Sequence, residues 1–352
     1  LLNFSGATKD NRLRYPARAV PYALGLLLAA NFSLPSFAAD FIPATQTQNG
    51  VPKTVNASTM PGSKPRVCLV LGGGGTRGFA HIGVLRVLLH AGIPVDEVVA
   101  TSIGSVIGGL YCAGLTPDRI ETVLRDRAFY DSFEAVPTKI GMAMLPISVV
   151  PRAITHKSYA GLYSGNKFAN YLASQIPAEK QAIEKLDIPF HPIAFDLLDA
   201  RARAIDGGDL TRAIQASCAI PELRQPVAWQ GHLFVDGAVV ANLPCEQART
   251  LAPSVLIAVN VDETMNSVTD ASFKALGSVT DRCVSANLLK IDEDQEKAAD
   301  IVIKPAVTGI KLLSRNQNDM QRAIRAGEAA AEAAIPAIKA RLQEAGCVVL
   351  NK

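Results

Sequence analysis

The chain lacks a dominant charge. Its 352 residues hold 35 Lys and Arg against 32 Asp and Glu, a net +3. Lys9, Arg12, Arg14 and Arg18 stand near the start with the single acid Asp10, so the remainder is close to neutral. That balance gives no footprint for a nucleic-acid partner. The six cysteines, Cys68, Cys112, Cys218, Cys245, Cys283 and Cys347, include no C-x-x-C pair. They read as mostly buried small hydrophobes rather than a disulfide framework or metal site. There is no Gly-Lys-Ser/Thr P-loop, and no internal repeat.

What is present describes a globular chain with a sizeable core. Hydrophobic residues make up 49% and charged residues 19% of the chain, values for one large domain or two small ones. The early basic residues precede an apolar run from Ala19 to Ala30, and Ser36-Phe37-Ala38 follows. Charged segment, short apolar segment and small-x-small site make residues 1–39 a signal peptide, cut after Ala38 or Ala39. The run is short for a membrane span; the competing reading is an uncleaved anchor. No cysteine near the cut supports a lipoprotein anchor. The expected destination is the periplasm or the exterior, in solution or held at a membrane. Residues 40–65, with Pro43, Pro52, Pro61 and Pro65 among polar residues, form a flexible linker.

Regular structure begins at Arg66 to Leu71, an apolar run typical of a buried parallel strand. A glycine loop follows, then a helix to about His90, stopped by Gly92 and Pro94. Val98 to Thr101 is a second strand and Ile103 to Ala113 a second helix. This order implies a right-handed parallel β-α-β core. Residues 129–165 break the rhythm. Their apolar stretch, Ile140 to Pro151, reads either as a buried connection or as a flap over a lipid site. Further strands are expected at Phe190 to Phe195, Arg201 to Ile205, Leu233 to Val235 and Val255 to Val261. Helices are expected at Leu210 to Ser217 and Met320 to Gln343, the latter with Pro336 as a candidate interruption.

Three weak motifs carry the chemistry. Ala100-Thr101-Ser102-Ile103-Gly104 is a strand running into a sharp turn with Ser102 at its tip. It follows G-x-S-x-G, with Ala100 in place of the first glycine; a serine there could equally be a helix N-cap. Gly73-Gly74-Gly75-Thr76-Arg77-Gly78 fits G-x-G-x-x-G between strand and helix, a dinucleotide pattern. A dinucleotide site needs an acid at the end of the second strand, where Thr101 and Ser102 stand instead. The loop's alternative use is an oxyanion hole, with backbone N–H groups and a helix dipole facing developing charge. Arg77 could add charge there or form a surface ion pair. Asp236-Gly237-Ala238 offers a carboxylate on a tight turn, able to act as a base when desolvated. None of His81, His90, His156, His191 or His232 is placed like a serine-hydrolase base.

Taken in order, these motifs resemble the patatin-like phospholipase family. The resemblance extends through Arg77 to Leu85, Ala216-Ser217-Cys218-Ala219-Ile220-Pro221 and Asn242-Leu243-Pro244. It implies an α/β fold, a patatin-like three-layer α/β/α hydrolase with a mostly parallel central sheet. It also implies a lipid acyl hydrolase with a Ser-Asp dyad, without a catalytic histidine, metal or cofactor. By motif position Ser102 is the nucleophile, Asp236 the base, and Gly73 to Thr76 the oxyanion loop. Ala238 departs from the glycine common at that place. The expected core is 66–262, with 263–352 a mainly helical extension packed on it. Expected partners are a phospholipid or other lipid ester and, transiently, a membrane or micelle surface. A dinucleotide-binding oxidoreductase and a non-catalytic lipid-binding protein are the alternatives.

Overall fold

A computed structural model describes residues 65–133, 159, 161–274 and 278–349. The signal-peptide reading and all but the last residue of the linker reading lie outside these residues, as do His156 and the stretch 140–151.

Three strands form the middle of the sheet: β1 (Val67–Leu71), β2 (Glu97–Thr101) and β7 (Val255–Val259), each buried at every residue. Burial on both faces explains their near-continuous apolar sequence. The other strands are β3 (Phe190–Asp196), β4 (Arg201–Ala204), β5 (Val227–Trp229), β6 (His232–Asp236) and β8 (Ile301–Ile303). Hydrogen bonding connects them in the order β5-β6-β3-β2-β1-β7-β8, with β4 also on β3. Pairing from β3 to β8 through the middle is parallel; β4, β5 and β6 are antiparallel.

One junction positions the site. The Pro189 carbonyl accepts from Val98 of β2, and the Leu197 amide donates to Leu233 of β6. The Pro192 carbonyl instead accepts from Ile205, which continues β4. Backbone groups of a strand alternate between its two edges, so residues 189 and 197 share one edge and residue 192 faces the other. β2 and β6 therefore lie end to end along the same edge of β3. Thr101 sits opposite Ile193 and Asp236 opposite Ala194, so the C-terminal ends of β2 and β6 meet head on.

Helices α1 (Ala80–His90), α2 (Ile103–Cys112), α3 (Pro117–Arg125), α4 (Arg127–Phe133), α5 (Asn166–Gln175) and α6 (Leu210–Ser217) follow in chain order. Then come α7 (Cys245–Arg249), α8 (Ser278–Gln295) and α9 (Gln317–Glu344). Leu69, Leu71, Val98, Ile257 and Val259 share one core with residues of α1, α2, α6 and α9. Cys68, Val70, Val99, Leu256 and Ala258 point the other way, onto Ala241, Leu243 and α7. This alternation makes a three-layer α/β/α fold with one thick and one thin helical layer.

Helix α9 is not interrupted at Pro336. An interior proline costs about 3 kcal/mol, but Ile324, Ala331, Ile338 and Leu342 are buried on both sides of it. One packed stripe holds the helix together. Cys68, Cys112, Cys218 and Cys245 are buried, while Cys283 is exposed, and all six cysteines are unbridged.

Candidate active site

Ser102 stands where β2 becomes α2, with φ 53° and ψ −122°. A non-glycine residue in that region costs about 1–3 kcal/mol and persists only when its surroundings hold it. Here they do. The Ser102 amide donates to Ser217 Oγ at 3.0 Å, and Ser217 Oγ donates to the Ile193 carbonyl at 2.6 Å. The Ser105 and Ser217 hydroxyls are 2.8 Å apart, and Ser105 Oγ also reaches the Ala100 carbonyl at 2.8 Å. The Ser102 carbonyl accepts from the Ser105 and Val106 amides and from Cys218 Sγ. Thr101 Oγ1 ties the last residue of β2 to the Ala241 carbonyl at 2.8 Å. Gly104 is required because a side chain there would enter the carbonyls of Leu71 and Gly72.

The head-on junction delivers Asp236. Ser102 Oγ donates to its Oδ2 at 2.8 Å, and its Oδ1 accepts from the Ala238 amide at 2.9 Å. Asp236 is 3% exposed. Burial pushes its carboxyl up to about 6, against the opposing pull of the Ala238 and Ser102 hydrogen bonds. Gly237 packs directly on the Ile193 carbonyl. A desolvated carboxylate hydrogen-bonded to a strained serine can accept the hydroxyl proton directly, with no imidazole between them.

The glycine loop is narrower as a donor set than its sequence implies. The Gly73 amide donates to the Asn242 carbonyl, Thr76 to Leu312, and Arg77 to Gly74. Among the described residues, the amides of Gly74 and Gly75 make no hydrogen bond, nor does that of Ile103 at the start of α2. Gly73 lies against Ser102 Cβ, and Gly78 against Ile103.

Arg77 neither faces the nucleophile as a free charge nor lies on the surface. It is 1% exposed. Its Nε donates to the Ile310 carbonyl at 2.7 Å, both terminal nitrogens contact Ser285 Oγ at 3.3 Å, and Glu263 pairs with it at 3.0 Å. Thr76 adds a reciprocal pair with Ser314, donating to its carbonyl at 2.8 Å and accepting from its amide at 3.0 Å. Gly75, at φ 54°, lies so close to the Leu312 carbonyl that a side chain would overlap it. The loop's glycines thus admit a segment of this same chain.

His81, fully buried, sits 2.8 Å from the Gly72 carbonyl through Nε2. Burial lowers its pKa to about 4, so the neutral ring braces the loop. Asn242 Nδ2 donates to Asp292 at 2.6 Å and the Leu243 amide at 2.9 Å. Burial and the nearby Asp262 hold Asp292 well above the usual carboxylate range. His191 bridges Glu97 and Asp206, and His232 contacts Asp196 at 2.7 Å. Asp196, Asp199 and His232 bring ligand atoms within 4.8 Å of one another, but Arg203 pairs with both carboxylates.

Several supporting residues carried no role in the sequence reading. Ser217, Cys218, His81 and Asn242 lie inside the quoted motif blocks, which is their signal. Ser285, Ile310, Leu312 and Ser314 had none; they reach the loop across more than 200 positions.

The chain is similar to known proteins. The family model "Patatin-like phospholipase" matches residues 69–249, and the chain belongs to that family. It is 34% identical over 203 residues to mouse patatin-like phospholipase domain-containing protein 6, covering 56% of this chain and 14% of that protein. An uncharacterized NTE family protein of Mycobacterium bovis is 30% identical over 200 residues, 57% of this chain and 50% of that one. The chain thus spans half or less of these relatives. VipD from Legionella pneumophila aligns with TM-score 0.44 at 12% identity, over 78% of this chain and 67% of that structure.

Proposed function

We propose that this protein hydrolyses carboxylic esters of lipids, as a phospholipase A or lysophospholipase, through a Ser102–Asp236 dyad. Ser102 Oγ attacks the ester carbonyl while Asp236 takes its proton. The oxyanion forms against the amides of Gly74, Gly75 and Ile103. The tetrahedral intermediate collapses, the alcohol leaves with that proton, and an acyl-serine remains. Asp236 then takes a proton from water, whose oxygen attacks the acyl carbonyl; the acid leaves and the proton returns to Ser102. The substrate meets the enzyme at a membrane or micelle surface. Export belongs to the same proposal and rests on the leader pattern of residues 1–39.

The observation that carries this reading is the 2.8 Å bond between a strained serine and a buried carboxylate. A dinucleotide site is disfavoured because Leu312 and Ser314 already occupy the glycine loop. Ser102→Ala should keep its fold by circular dichroism, lose labelling by a fluorophosphonate probe, and lose about 10⁴-fold or more in ester turnover. Retained turnover in that variant, or an unlabelled but folded wild type, would sink the reading. Mass spectrometry of products from a phospholipid and lysophospholipid panel would then assign head group and position.

A further inference from the structure

Some of the exposed apolar side chains follow strands of the central sheet. Leu197 and Leu198 follow β3, Val239 and Val240 follow the β6 aspartate, and Leu313 follows β8. Val284 lies on α8 one residue before Ser285, which contacts Arg77. Of these six, Leu313 stands on the segment whose backbone is bonded to the glycine loop.

The segment after β8 carries charge beside Leu313. Residues 304–316 contain Lys304, Lys311 and Arg315 and no acid, and Lys304 pairs with Glu296 at 2.7 Å. Within it the chain alternates. Ile310 is 1% exposed and, like Leu312 and Ser314, uses its carbonyl on the glycine loop. Lys311, Leu313 and Arg315 face solvent, Leu313 at 54% exposure. Lys311 has no ion-pair partner among the described residues, while Arg315 lies 3.9 Å from Asp131. An apolar side chain between two cations, on a backbone bonded to the oxyanion loop, has the chemistry of a lipid interface: phosphate outside, acyl chains within.

We infer that the edge formed by Lys311, Leu313 and Arg315 seats the active site on an anionic phospholipid surface. This rests on reading the site as a lipid acyl hydrolase. Lys311 meets headgroup phosphate, Leu313 enters the acyl boundary, and the hydrogen bonds to Thr76 and Arg77 fix the loop relative to that surface. The preference for anionic lipid follows from the exposed Lys311 ammonium, which shares a face of the segment with Leu313.

The test uses the full chain carrying Ser102→Ala, so that vesicles stay intact, and vesicles of phosphatidylcholine with or without phosphatidylglycerol. Cosedimentation should favour the mixed vesicles and weaken with added salt. Lys311→Glu should lower affinity for them about five-fold or more, and Leu313→Asp about ten-fold. In the background with Ser102 intact, both substitutions should leave hydrolysis of a short soluble ester within about two-fold. The inference is overturned if neither substitution lowers vesicle binding, if the Ser102→Ala chain ignores anionic lipid, or if both lose soluble-ester turnover in parallel with binding. It is also overturned if Leu313→Asp dissolves a dimer while vesicle binding persists. Intact, edge-dependent vesicle binding without soluble-ester turnover by the wild type would instead remove the hydrolase reading and leave the lipid surface.

Discussion

The two flanks of the site are built differently. The nucleophile flank closes on itself: Ser102 reaches Ser217 and Asp236 across 115 and 134 positions, all inside the span matched by the family model. The glycine-loop flank is braced from outside that span. Arg77 reaches Ile310 across 233 positions and Thr76 reaches Ser314 across 238. The comparison separates what defines the chemistry from what holds it in place. The proposed dyad lies within two motifs, whereas the glycine loop opposite it is bonded to a segment with no motif of its own.

The largest effect should come from breaking the dyad. Asp236→Asn keeps the shape and a hydrogen-bond acceptor but removes the base, so kcat should fall about 10²–10⁴-fold. Stability should move the other way. The folded pKa of about 6 lies above the unfolded value of 3.8, so the folded chain binds this proton more tightly. At pH 8 the ionised group is a cost to folding of up to about 3 kcal/mol, and the cost disappears below pH 3.8. Asp236→Asn should therefore raise Tm at pH 8, and wild-type activity should decline as pH falls through about 6. A lower Tm in the variant would mean that the carboxylate is stabilised by something other than its present contacts.

The next effect tests the other flank. Arg77→Met leaves the Ile310 carbonyl and the partly exposed Glu263 without their cation; breaking a fully buried pair costs about 3–5 kcal/mol, an upper bound here. If the brace aims the amides of Gly74 and Gly75, kcat should fall about 10²-fold, with little change in KM. Activity measured well below the variant's Tm separates aiming from unfolding. A Tm loss without a kcat loss would make the C-terminal brace purely structural.

This asymmetry also explains what was legible in the sequence. β1, β2 and β7 read directly because strands buried on both faces are continuous apolar runs. Ser102, Asp236 and the loop read because small residues are needed at sharp turns, and those turns cluster where strands end. α8 did not read: its buried positions, Ser285, Leu288, Asp292 and Gln295, are mostly polar, so no apolar period marks it. β8 is three residues long. Arg77 was legible as a charge but not as a strut, because its partners are backbone carbonyls and a serine that any sequence could supply. The head-on meeting of β2 and β6 was hidden because antiparallel β6 pairs with β3, not with β2.

A smaller effect sharpens the nucleophile flank. Ser217→Ala removes the hydroxyl that accepts from the Ser102 amide and donates to Ile193. The dyad remains, but the strained turn loses one tether, a change of about 1 kcal/mol. Turnover should fall about ten-fold or less, and fluorophosphonate labelling should slow by a similar factor. Labelling at the wild-type rate would show that Ser105 and Cys218 hold the turn without Ser217.

The smallest effect on activity should come from the opposite end of the sheet. His191 lies 3.0 Å from Glu97 and 2.6 Å from Asp206. Burial lowers its pKa, but hydrogen bonds to both carboxylates and their charges prevail, giving about 9 against an ordinary 6.5. A folded pKa above the unfolded one means that the stabilisation is complete below pH 6.5 and is lost as pH rises through about 9. Asp206 is 66% exposed at its side chain, so solvent screening reduces the benefit to about 1–2 kcal/mol. His191→Gln should leave kcat and KM for a short ester unchanged. It should lower Tm at pH 6, and the gap from wild type should close by pH 10. A gap constant across that range would assign the loss to packing rather than charge. A fall in kcat would join this end of the sheet to the chemistry and would break the division between a motif-built dyad and its surroundings.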